Sequence, residues 1–486
     1  MLRCIGLLAG VLSIGLSAWG GGDQSAAALP SLRRVNIPYF SGEVQFAETA
    51  LVWFGRVTST ENYADVRLGY TATDVYVRVM IFDRRLWYNA EPASSPLIDW
   101  DSVSLYLDQA GNPATGSGGT GNAPAASSYR FDAQLTAWEP RADWQAAYRG
   151  QAGSWAALNQ PFVTHNEIKW ETATEGGVNN DQNNRGWWLE YWIPFSSLGR
   201  SGPPAIGTQW GLGIAVHDRD AGVGPVNADQ IWPDAMQPLQ PATWGQMRFG
   251  QPAYSPPLNF PRDTVTIRHG LNGAPVIDGT VGGDTDCGAG SYPDYFAGWG
   301  ALTYPHIERV NVQNQGDIAD WPCFSKYYVT FPLDSVPANK VIVSATLTLY
   351  QLGNAGGGGW GEPETSYIQI FTVDQAWDEN TLSWNNAPRA RENITGTWVD
   401  PLAEYPGYPG IPRAWTISRA VAEAYTAGVP LRLAVYAADG AYHSGRYFYS
   451  SDVEDFNAVG RPTLKITWGD RGAAIEKSVW LPLVQR

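Results

Sequence analysis

Apolar residues in this chain recur with a period of two, in short runs cut by glycine and proline. Nowhere do they hold the period of an amphipathic helix over a useful length. A strand sends alternate side chains to opposite faces, so this pattern restricts the chain to β-sheets. The clearest run is Asp101 to Asp108, where Val103, Leu105 and Leu107 share one face and Ser102, Ser104 and Tyr106 the other. Ala64–Tyr70, Tyr129–Leu135, Trp187–Phe195, Trp210–Val216 and Gln246–Phe249 also read as strands. Asp74 to Phe82 differs, because Val75, Val77, Val79, Met80 and Ile81 leave it apolar almost throughout. It is expected to be covered on both faces.

With 486 residues, the chain suits two domains of about 200 residues each. The expected fold class is all-β: two antiparallel β-sandwich, jelly-roll-like domains joined by a Pro-rich linker. The first spans 35–250. The linker spans 251–261, where Pro252, Pro256, Pro257 and Pro261 predict a stiff spacer. The second spans 262–470, with strands at Val265–Arg268, Lys326–Phe331, Val341–Leu352, Tyr367–Val373, Leu431–Ala437, Tyr447–Ser450 and Thr463–Trp468. One short helix is expected there, capped by Ser418 and ended by Gly428. Residues 471–486 form a separate tail whose apolar end, Val479 to Val484, suits an edge strand.

Residues 1–28 read as a secretory signal: Arg3, an apolar run from Cys4 to Trp19, then small residues to Ala28. Cleavage after Ala28, or near Ala18, leaves Cys287 and Cys323 as the only cysteines. Such a pair in a secreted chain predicts a disulfide, with two separate buried thiols as the alternative. The expected location is extracellular or at the cell surface, with no membrane association after signal cleavage. A net charge of −15 and the lack of any basic run argue against a nucleic-acid partner.

The most distinctive stretch is Trp377 to Pro388. Asp378, Glu379 and Asn380 favour a turn, Thr381–Trp384 alternates as a short strand with Leu382 and Trp384 inward, and Pro388 stops it. Together with Tyr328–Pro337, Val343–Tyr350, Trp415–Val421, Phe448–Asp452 and Arg461–Leu464, it makes the second domain resemble the DNRLRE domain, also classed as carbohydrate-binding module family 96. The resemblance implies a jelly-roll-type sandwich that binds polysaccharide or serves the extracellular matrix. Tyr63–Arg67, Asp74–Val77, Ile81–Asp83, Asp101–Asp108, Glu190–Gly199 and Trp210–Leu212 make the first domain resemble carbohydrate-binding module family 9 and its DOMON-like relatives. That resemblance implies sugar held between aromatic rings, and calcium.

No nucleophile elbow, H-E-x-x-H or C-x-x-C motif occurs, and Asp378 and Glu379 are neighbours rather than a facing glycosidase pair. No catalytic residue is expected. Glu190, on one strand face with Trp188 and Trp192, reads as structural. Tryptophan faces stack on the apolar C–H faces of sugars, so Trp87, Tyr88, Trp100, Trp138 and Trp144, in loops or at strand ends, are the candidate carbohydrate-binding residues. Asp83, Arg84 or Arg85 are placed to bond hydroxyls. In the second domain Trp299, Tyr304, Trp321 and Trp360 are similar candidates. Asp218, Asp220 and Asp229 lie in an oxygen-rich loop that suits Ca2+, and Asp284 and Asp286 are a weaker pair. The expectation is a secreted, non-catalytic protein whose partner is a polysaccharide or cell-surface glycan. The alternatives are a structural or adhesive protein that self-associates through its sandwiches and tail, and a polysaccharide-cleaving enzyme.

Overall fold

The computed structural model describes residues 32–91, 95–111, 121–137, 142–170, 176–287, 294–316, 318, 321–357, 361–440 and 444–472. The expected signal (1–28) and the tail beyond residue 472 lie outside the described residues. Among the described residues no helix is long and apolar enough to cross a membrane.

The first module pairs two sheets. One runs in the order Arg34–Ile37, Gly245–Phe249, Gln209–His217, Ser102–Asp108, Ser128–Gln134, Gln145–Gln151, Ser154–Ala157, with Gln230–Trp232 also on Gln209–His217. The other runs Ala50–Gly55, Tyr63–Tyr70, Asp74–Phe82, Asn184–Pro194, Val163–Trp170. Every strand pairing is antiparallel except Arg34–Ile37 against Gly245–Phe249, which is parallel. Val103, Leu105 and Leu107 face the core between the sheets, as their alternation predicts.

The second module has sheets ordered Asn259–Arg268, Thr463–Arg471, Lys340–Asn354, Arg446–Tyr449, Arg309–Val312 and Ile277–Gly282, Ser325–Phe331, Leu431–Ala437, Ser366–Val373, Ala390–Val399. Ile411–Thr416 pairs with Lys340–Asn354. The helix Ser418–Ala427 ends at Gly428 in the left-handed region, as expected. Ser418 does not cap it. Its Oγ accepts instead from Ala345 N at 2.9 Å and ties the helix start to the sheet. Cys287 and Cys323 are disulfide-bonded.

The proline-rich segment does not hold the sandwiches apart. Its last residues enter the strand Asn259–Arg268, where Pro261 sits beside a bulge, and residues from Leu32 onward form one compact unit. The strand Asp74–Phe82 shows why. Val75, Val77, Val79 and Ile81 fill the first core, while Met80 and Phe82 join Trp53 and Tyr63 in a second apolar cluster. That cluster also takes Trp299, Trp321, Tyr328, Trp384 and Tyr436 from the other module. The doubly apolar strand is covered on one side by its own sandwich and on the other by its neighbour.

Trp377–Pro388 lies on this seam. Only Ser383 makes a ladder contact, a single bridge to Thr303, so the expected short strand does not form. Leu382 and Trp384 point inward as predicted. Trp384 stacks on Phe82 at 11°, and its ring centroid lies 3.1 Å from the buried Lys326 Nζ, which donates to Tyr63 Oη at 2.6 Å. Asn385 exchanges two hydrogen bonds with the backbone of Val57, at 2.8 and 3.0 Å. The local sequence asks for a turn and a stop; Tyr63 and Phe82, two of the aromatic neighbours of Trp384, come from the other module.

Candidate functional site

Three strands of the first module end beside one another, and each is flanked by an aspartate. Ser102 pairs with His217, so Asp101 and Asp218 are neighbours just outside that ladder. Asp83 follows the end of Asp74–Phe82 in the facing sheet. Asp220 completes the group: one carboxylate oxygen each from Asp83, Asp218 and Asp220 lie within 4.8 Å of one another.

Backbone and indole donors hold these groups in place. Asp83 accepts from Arg85 N at 3.0 Å and Trp187 Nε1 at 3.1 Å. Asp101 accepts from Trp87 N at 2.6 Å and Arg219 N at 2.8 Å. Asn227 Nδ2 lies 2.7 Å from both Asp218 Oδ2 and Asp220 Oδ2, whereas Asp218 Oδ1 is buried without a partner. Burial, then Asp220, pushes the Asp218 carboxyl up to about 7. Burial comes first for Asp83 and Asp101 too, followed by the neighbouring carboxylates, and both are raised well above the ordinary range. The charges that act most strongly on these three groups are negative. Oxygen-only and converging, with Asp83 and Asp218 buried and Asp220 half-buried, the donors fit a hard divalent cation such as Ca2+ better than a thiol- or imidazole-seeking metal.

Two of the five candidate aromatic residues stand on this cluster. Asp101 N donates back to Trp87 O at 3.1 Å, so Asp101 and Trp87 are doubly linked. The Trp87 ring packs on Gly222, where a Cβ would meet it at 2.7 Å. Trp100 lies under the Arg219 guanidinium at 4.5 Å, and Arg219 also donates to Asp99 O and Gly222 O. Both rings remain partly exposed.

Other expectations are corrected. Tyr88 and Trp144 belong to the core, edge to face at 6.3 Å. Trp87 and Tyr88 are successive residues of an extended segment, so only one can face outward. Trp138 lies outside the described residues. Asp229 is not with Asp218 and Asp220; its Oδ1 sits 2.8 Å from His217 Nδ1. Asp83, expected to bond a sugar hydroxyl, is buried in the acidic cluster, and Arg84 pairs with Asp294 at 2.7 Å. Glu190 is structural, held by Tyr76 Oη at 2.7 Å and Arg78 at 3.2 Å. Trp299 and Trp321 are buried in the seam, Tyr304 gives its hydroxyl to Gly282 O, and Trp360 lies outside the described residues. Asp284 is buried, with its backbone oxygen bonded to Asn311, and the Asp286 side chain is outside the described set.

In the second module, Glu379 and Asn380 of the distinctive turn face His306. Its Nδ1 lies 3.2 Å from Glu379 Oε1 and 3.6 Å from Asp452 Oδ1, and Glu379, then Asp452, raises the imidazole pKa. A protonated His306 offsets part of the negative charge of its two carboxylate neighbours.

Residues 304–429 match the model of carbohydrate-binding module family 96. The family 96 segment contains Trp377–Pro388 and several of the second module's strands, in agreement with the resemblance read from its motifs. No curated protein matches the chain. Among solved structures, a family 9 carbohydrate-binding module from Caldicellulosiruptor kristjanssonii in complex with cellotriose is 15% identical. The match covers 46% of this chain and 95% of that one, with a TM-score of 0.31. The same module with glucose is 15% identical over 46% and 99%, TM-score 0.30. A putative carbohydrate-binding protein from Bacteroides uniformis is 11% identical over 45% and 100%, TM-score 0.32.

Proposed function

We propose that this is a secreted, non-catalytic carbohydrate-binding protein. In its first module a divalent cation, calcium by its ligand chemistry, is held by Asp83, Asp218 and Asp220 with Asp101 beside them. The cation does not act on the sugar. With the cation bound, Asp83, Asp218 and Asp220 would hold in place the loops that carry Trp87, Trp100 and Arg219. The observation that carries this reading is the double link between Asp101 and Trp87, with Arg219 N on the other Asp101 oxygen. The family 96 match supports the ligand class, and the disulfide supports an oxidising, exported setting. The rings offer apolar faces to sugar C–H groups, and the loops supply polar partners for hydroxyls.

The test is retention in affinity electrophoresis on gels containing neutral or acidic polysaccharides. Wild type is expected to be retarded, and Trp87→Ala/Trp100→Ala to lose a measurable part of that retardation with its melting temperature little changed. Absence of retardation on every polysaccharide sinks the reading. Release of new reducing ends would replace it with a cleaving enzyme.

A further inference from the structure

An exposed aromatic surface sits on the second module and shares no residue with the acidic cluster. Tyr405, Tyr408 and Phe456 are 58%, 58% and 65% exposed. They form one group: Tyr408 lies 6.2 Å from Tyr405 and 4.8 Å from Phe456, edge to face in both pairs. Beneath them Tyr408 stacks on the buried Tyr449 at 5.9 Å and 28°. The signal is present in the sequence as a repeated Tyr-Pro-Gly, residues 405–410.

The surface is built rather than loose. Tyr405 Oη and Tyr449 Oη are 2.9 Å apart. Gly410, at φ +91°, lets the loop close on the sheet, where a Cβ would meet Gln351 O at 2.8 Å. Phe456 stands on the turn Asp455–Gly460, which Arg461 pins through Asp455 Oδ1 at 2.8 Å and Val453 O at 2.7 Å. The rings therefore need little ordering when a ligand arrives, which favours binding.

Size and charge select the occupant. An aromatic side chain offers about 200 Å² at most, so three that are some 60% exposed present roughly 350 Å². A specific protein partner or a second copy needs about 800 Å² a side. At the rim Glu308 and Glu454 are near enough for their charges to act on Tyr408, while Asp455 is paired with Arg461 and Arg309 acts on Tyr449 beneath. Carboxylates accept hydrogen bonds from neutral hydroxyls and repel a polyanion. We propose that Tyr405, Tyr408 and Phe456 form a second glycan-binding platform, for a neutral polysaccharide. It rests on the carbohydrate-binding reading for its ligand class but on none of the first module's residues.

The experiment is isothermal titration of the full chain with cellohexaose and mannohexaose, and with an alginate hexamer as the anionic probe. Wild type, Tyr408→Ala/Phe456→Ala, Phe456→Ala and Trp87→Ala/Trp100→Ala are compared. The platform variants are expected to weaken a neutral hexasaccharide at least tenfold while keeping the wild-type melting temperature. The first-module variant is expected to lose a second, separate class of site and to keep the one the platform supplies. If Trp87→Ala/Trp100→Ala removes all binding, the platform falls and the first-module reading stands. If only the platform variants lose binding, the first-module site falls and the platform stands. Tighter binding of the alginate hexamer than of either neutral probe overturns the proposal. So does a sedimentation coefficient that changes in the platform variants while glycan binding does not. Failure of wild type to bind any probe overturns both.

Discussion

Replacing Asp218 with Asn separates the metal reading from a purely structural one, because calcium should erase most of its effect. In the metal-free protein Asp218 is buried beside other carboxylates, and its pKa rises from the usual 3.8 to about 7. At 1.36 kcal/mol per pKa unit, holding it ionised above that pH costs about 4 kcal/mol. The folded value lies above the unfolded one. The stability is therefore fully present below about pH 4 and is lost as pH rises through about 7. The amide introduced by Asp218→Asn cannot ionise, so at pH 8 in chelator the variant gains up to about 4 kcal/mol over wild type. If the described residues of the compact unit that begins at Leu32 unfold together, the unfolding entropy makes this roughly 1 °C per kcal/mol, a rise of about 4 °C. Calcium at a hundred times its Kd stabilises wild type by about 2.7 kcal/mol, near 3 °C, and does little for a variant that has lost a ligand. Differential scanning calorimetry at pH 8 should show the variant melting above wild type in EGTA and most of that gap closing in calcium. A variant that melts below wild type in EGTA refutes the argument. Equal calcium increments in both proteins would do the same.

Trp384→Ala should cost about 3–5 kcal/mol, since the ring is buried against Phe82, Tyr63 and Trp299. Because those neighbours come from both modules, a single calorimetric transition should broaden or split; an unchanged one removes the seam from the argument. Asp278, fully buried and bonded by Tyr327 Oη and Ser451, is pushed up to about 7, chiefly by burial. Its contribution to stability is present below about pH 4 and lost as pH rises through about 7. Asp278→Asn should therefore flatten part of the fall in urea midpoint between pH 5 and 8, and identical pH profiles would contradict this.

Much of the candidate site is written in the chain but not as a site. Asp218 and Asp220 are two residues apart in an oxygen-rich loop, so they are legible. Asp83 and Asp101 each stand at the boundary of a strand readable from its alternation or its apolar run, yet nothing local says that those boundaries meet. Asp229 looks equivalent to Asp218 until the fold commits it to His217. Trp87 and Tyr88 look equivalent as well, and one step along an extended segment divides them between surface and core. The Tyr-Pro-Gly repeat is visible, but its grouping with Phe456 depends on a turn some fifty residues away along the chain.

The sequence by itself determined the all-β class, most strands and their inward faces, the helix end at Gly428 and the family 96 resemblance. These follow from short-range chemistry: side-chain alternation, proline's missing donor, glycine's left-handed freedom and motif order. Only the tertiary structure decided that the two sandwiches share an apolar seam, that Trp384 and Lys326 lie in it, and that aspartates from separate strands converge. Those outcomes depend on which distant surfaces meet. The apolar character of Asp74–Phe82 shows that both faces must be covered, but not that the second cover is the other module.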